Sequence, residues 1–168
     1  MHRLRIGLSE RLARQVPTNQ LLKVKFELDT DPPAGFATEI RYMLQPVPFS
    51  VRVYSPGDLF AGKMHAVLFR KWGGRVKGRD WYDLVWLTGQ ETPLNLDHLS
   101  SRMRQAGHWT KEYPISREEW KAMLHLAIAE LDIQAARRDV LPFVKDSSKL
   151  EVWSADFFSA LVDMIQTK

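Results

Sequence analysis

The sequence predicts an α+β protein, with a small, mainly antiparallel sheet followed by a helical lobe. Two observations carry this reading. Period-two alternation of apolar and polar residues is confined to residues 21–54, where the joins are too short for crossover helices. From Ser55 onward the apolar residues recur at helical spacing behind recognisable caps. Strands first and helices after is the α+β order.

The first strand is expected over Leu21–Asp29, "LLKVKFELD". There Leu22, Val24, Phe26 and Leu28 face one way and Lys23, Lys25, Glu27 and Asp29 the other. "TDPPAGF" ends it, because two prolines cannot continue a central strand. Ala37–Gln45 and Phe49–Tyr54 read as two further strands joined at Pro46 and Pro48. The next segment, "SPGDLFAGKMHAVLFRKW", places Ser55 at an N-cap, Pro56 at the first helical position and Asp58 three residues after the cap. That helix is expected to run to about Trp72 and stop at Gly73-Gly74. A second helix is expected over Arg79–Thr88. Others follow near Leu94–Ala106, Ser116–Leu131, Ala135–Val144 and Ser154–Gln166, with Ser116 and Glu119 forming a capping box. The polar, turn-rich "TGQETPLN" marks a soft boundary.

Bulk properties exclude several classes. At 168 residues the chain has the length of one ordinary domain or one domain with an appendage. No apolar run approaches the roughly 18 residues of a membrane span. The charged start lacks the apolar core of a signal peptide. With no cysteine, thiolate metal sites and disulfides are impossible, and a cytoplasmic location is expected. The formal charge is +4, yet Lys63, Arg70, Lys71, Arg75, Lys77 and Arg79 supply six positives with no acid between Leu59 and Arg79. Positive charge is therefore concentrated where the first helix meets a glycine loop, which suits phosphate or an RNA backbone.

Three groups could carry chemistry. Lys63 falls on the flank of the apolar face of its helix, where an ammonium needs an anion or a route to water. Asp80 and Asp83 sit at i and i+3 on the next helix and share a face with Leu84 and Leu87. Asp80 suits the helix N-terminus. Asp83 is expected to lie deeper and to pair with Lys63 or Arg70 across the two helices. Glu27 and Asp29 share the polar face of the first strand, where two carboxylates could hold Mg²⁺ or simply face water. The five histidines show no metal-ligand spacing. The six tryptophans fall mostly at core positions.

"LLKVKFELDTDPPAGF", "SPGDLFAGKMHAVLFRK" and "KGRDWYDLVWL", in this order, resemble the AbiEii/AbiGii toxin family of nucleotidyltransferases. The resemblance covers about residues 21–87. It implies a partial nucleotidyltransferase-like α/β domain over 1–90 and a C-terminal helical lobe over 91–168. It implies that Lys63 contacts nucleotide phosphate, aided by Arg70 and Lys77. Asp80 would be the acid of the last motif, supported by Tyr82 and Asp83, and Glu27 or Asp29 the strand carboxylate that holds Mg²⁺. The implied partners are an NTP, tRNA or other RNA as acceptor, and a cognate antitoxin, with no membrane. The family's Gly-Ser element followed by Asp-x-Asp occurs nowhere in the chain. The expectation is therefore either the C-terminal part of a longer enzyme or a relative that binds without catalysing. A non-catalytic module binding nucleic acid or a partner through residues 63–79 is the alternative.

Overall fold

The computed structural model of the chain describes residues 28, 30–70 and 76–168. The chain divides into two compact units, Met1–Pro32 and Pro33–Lys168. Every element below belongs to the second. The strand expected over Leu21–Asp29 lies outside the described residues, apart from Leu28, which is exposed and in no strand.

The described sheet is one antiparallel hairpin, β1 (Thr38–Met43) with β2 (Phe49–Tyr54), paired from Thr38↔Tyr54 to Met43↔Phe49. Six α-helices follow among the described residues: α1 (Pro56–Phe69), α2 (Gly78–Gly89), α3 (Leu96–Gln105), α4 (Arg117–Ala129), α5 (Ile133–Val140) and α6 (Ala155–Met164). The architecture is α+β, as the order of patterns predicts. Local chemistry starts the helices where expected. Ser55 Oγ accepts the N–H of Asp58 at the head of α1. Ser116 and Glu119 close a full capping box on α4, and Ser154 caps α6.

One expected boundary moves. α1 ends at Phe69, not near Trp72, because Arg70 leaves helical geometry for an extended backbone (φ −76°, ψ 103°) before the glycine pair is reached.

α1 is the central element. It packs on α2, α3 and α4, while α2 packs on α5 and α6. Phe60, Met64, Leu84, Leu99, Trp120, Leu124 and Phe158 are all essentially inaccessible and lie in one apolar core. At about 1.5–3 kcal/mol for each large apolar side chain buried, this core holds the helices in place. Trp81, Trp120 and Trp153 are packing residues, whereas Trp86 is exposed. The "TGQETPLN" segment leads into a pairing with the C-terminus: Leu94 N donates to Gln166 O (2.8 Å) and Lys168 N to Leu94 O (3.0 Å).

The hairpin has little core of its own, with Ile40, Tyr42, Met43 and Phe49 all exposed. Two strands alone are marginal in water. One carboxylate ties the strands to the helices. Asp58, 2% exposed, accepts from Ala37 N (2.6 Å), Ser55 Oγ (2.7 Å) and Asn95 Nδ2 (2.6 Å). Ala37 leads into β1, and Asn95 is the N-cap of α3. Burial pushes the Asp58 carboxyl up. These donors, with His98 close by, outweigh burial and hold it below its ordinary value.

Candidate functional site

Two ion pairs bridge α1 and α2. Lys63 Nζ lies 2.5 Å from Asp83 Oδ2, and Arg70 Nη1 lies 3.6 Å from Asp80 Oδ2. The later cation on α1 meets the earlier acid on α2, so the two helices run antiparallel there. The expected partnership of Asp83 with a cation of the preceding helix is present. The expected depth order is reversed. Asp80 is buried at 5% exposure, while the Asp83 side chain is 36% exposed. Asp80, in the first turn of α2, lines a groove beside Arg70, whereas Asp83 sits one turn further on. On another face of the same turn, α2 is pressed against α5 so closely that a Cβ on Gly78 would sit 2.0 Å from Ala136 O.

The pairs open onto a groove of about 220 Å³. Lys63, Arg70 and Arg102 supply its cations, Asp58 and Asp80 its acids, and Tyr54 and Gly62 part of its wall. Arg102 comes from α3. Gly62 leaves it room, since a Cβ there would touch the guanidinium carbon at 3.6 Å. The Nε of Arg102 is buried with no hydrogen-bond partner among the described residues. A buried charged donor left unmatched is costly, and an anion in the groove would relieve it. His98 is also fully buried behind this region, with Phe36 and Tyr54 rings at 6.1 Å and 6.4 Å. Burial lowers its imidazole pKa, and Arg102 adds to this against the opposing pull of Asp58 and the Ala34 carbonyl.

The remaining sequence candidates are placed as follows. Lys77 is the N-cap residue of α2 and does not line the groove. Tyr82 packs half-buried against the core. Arg79 turns to α5, with its Nε 3.8 Å from Asp139 Oδ2 and its guanidinium 4.7 Å from the Phe143 ring centroid. Glu27, Asp29 and residues 71–75 lie outside the described residues. Sequence reasoning missed Asp58 as a tertiary anchor, and it missed Arg102 and His98. For Arg102 the signal was faint: a cation three residues after buried Leu99 and one before buried Met103 on a helix with a polar opposite face.

A lysine and an arginine about two turns apart, each held by its own carboxylate and joined by Arg102, form a wall suited to phosphate. A family model described as "Nucleotidyl transferase AbiEii toxin, Type IV TA system" matches residues 3–161. The chain belongs to the AbiEii family. The match extends well beyond the three motifs to take in the C-terminal helices as far as α6. Membership of a type IV toxin–antitoxin family implies an antitoxin partner. No curated protein and no solved structure matches the chain. No helix among the described residues of this AbiEii chain is long and apolar enough to cross a membrane.

Proposed function

We propose that the groove binds the phosphates of a nucleoside triphosphate, and that the protein acts in transfer of a nucleoside monophosphate to an RNA acceptor. In such a transfer an acceptor oxygen bonds to the α-phosphorus and pyrophosphate leaves. The observation that carries the reading is the convergence of Lys63, Arg70 and Arg102 from two helices on one groove. Lys63 keeps donors free after meeting Asp83, because an ammonium has three. Arg70 is steadied by buried Asp80. Both acids are therefore positioning groups for cations. A half-exposed pair such as Lys63–Asp83 contributes at most about 1 kcal/mol to stability, so geometry is its main effect.

The family's Mg²⁺ does not fit the described part of the groove. No three His, Cys, Asp or Glu residues converge among the described residues. Both oxygens of Asp58 accept from N–H or O–H donors, and Asp80 faces a guanidinium. Mg²⁺ needs open oxygen ligands. The sequence candidates for it remain Glu27 and Asp29, outside the described residues.

Titration calorimetry with a non-hydrolysable NTP tests the reading. Lys63→Ala and Arg102→Ala are each expected to weaken binding about tenfold or more while the thermal unfolding midpoint moves little. NTP affinity equal to wild type in both variants would overturn it. RNA binding without any NTP binding would instead favour the non-catalytic module.

A further inference from the structure

A second cavity, of about 230 Å³, opens on the other side of Arg102 and is lined by His65, Gln105 and Ala106. Arg102 lines both openings. Among the described residues, no acid lines the second cavity.

An aromatic column stands beside it. His108 lies over Phe69 with ring centroids 4.1 Å apart and planes 13° from parallel. His108 Nδ1 is also 3.3 Å from His65 Nε2, so the ring is held at its edge as well as on one face. Its placement comes from the end of α3. Gly107 takes a left-handed backbone (φ +73°). Gly107 N donates to Arg104 O (3.0 Å), and His108 N donates to Met103 O (2.8 Å). This is a Schellman closure, and it turns His108 back across α1. His108 itself is exposed, so the stack stops at a flat ring that still meets solvent. Burial, with the charges of His108, Arg102 and Arg70 adding to it, holds His65 down at about 4, so near neutral pH the edge contact is uncharged on the His65 side.

We infer that this second cavity and the His108–Phe69 stack bind the end of a single-stranded RNA, with its terminal base continuing the stack on His108 and a backbone phosphate meeting Arg102. A flat imidazole backed by a phenyl ring offers a stacking surface for any base. The neighbouring guanidinium supplies the phosphate contact. A cationic peptide would find no carboxylate among the described residues that line this cavity. The assignment of the bound RNA as the acceptor rests on the nucleotidyl-transfer reading above. Arg102 would then sit between donor nucleotide and acceptor strand.

The test uses the whole chain and two probes, a fluorescein-labelled single-stranded oligoribonucleotide in anisotropy and a non-hydrolysable NTP in calorimetry. His108→Ala should weaken RNA binding about tenfold and leave NTP affinity within about twofold. His108→Phe should restore RNA affinity, since it retains a stacking face and loses only the polar edge. Arg102→Ala should weaken both probes. RNA affinity unchanged in His108→Ala, or no recovery in His108→Phe, would overturn the inference. If the His108 series behaves as expected but no NTP binds, the RNA site stands and the nucleotidyl-transfer reading falls.

Discussion

Replacing Asp58 with Ala should be among the most destabilising single changes in the described unit. The side chain is 2% exposed and accepts three hydrogen bonds of 2.6–2.7 Å. Its loss strands the Ala37 main-chain N–H, which has no freedom to turn elsewhere, at about 1–3 kcal/mol. The Ser55 hydroxyl can rotate, and the Asn95 amide is half-anchored because its Oδ1 still caps His98 N. Allowing these two about half the same cost each, the total comes to roughly 2–6 kcal/mol. Against a typical domain stability of about 5–15 kcal/mol this is a large fraction. Urea unfolding followed by tryptophan fluorescence measures it. Amide exchange should add a local signature, with β1 and β2 losing protection before α2 and α4 do. Asp58→Asn retains one acceptor oxygen and should cost less than Asp58→Ala. A loss under about 1 kcal/mol for Asp58→Ala, or one spread evenly over hairpin and helices, would refute the idea that this carboxylate fastens the sheet to the helices.

Other outcomes follow from the same contacts. Asp83→Asn should change stability by less than about 1 kcal/mol yet weaken NTP binding, because Lys63 loses the partner that aims it; calorimetry and thermal melts on one sample separate the two. Gly78→Ala should destabilise by roughly 1–3 kcal/mol or more, since the opposing atom is the backbone oxygen of Ala136 rather than a side chain that can swing aside; a melting curve reads it directly. Stability should fall steadily from about pH 6.5 toward pH 4. Over that range the unfolded chain takes up a proton on His65, whose folded value is about 4, before the folded chain does. His98 acts in the same direction. The contribution of Asp58 is fully present above its unfolded value and is lost only as pH drops through its lowered folded value. Urea midpoints at pH 7.5, 5.5 and 4.5 should therefore decrease in that order.

The parts of the fold legible in the sequence are those whose cause is local. Ser55 with Asp58 and Ser116 with Glu119 announce helix starts because the cap and its target are three residues apart. Alternation over Phe49–Tyr54 marks β2 to the residue. The pairing of Asp83 with a cation on α1 followed from the apolar arc alone. What periodicity carries is direction, not depth. It placed Asp80 and Asp83 on one side of α2, but how deep each lies depends on what packs around that side, which spacing along one helix does not encode. The same holds for Arg102, whose place in the groove depends on α3 crossing α1 at Gly62. His108 reaches Phe69 only through a left-handed turn at Gly107, which a pattern of apolar residues does not encode.

The contact between Gly78 and Ala136 gives α5 a part in shaping the groove that no residue of its own takes directly. No residue of α5 lines the groove, yet α5 is the seat on which the first turn of α2 rests, and Asp80 is in that turn. A shift of α5 by a fraction of an ångström has no soft side chain to absorb it and passes along α2 to Asp80, and from there to the guanidinium of Arg70. Substitutions beneath α5, outside the groove, are therefore expected to act as fine adjustments of where its cations point.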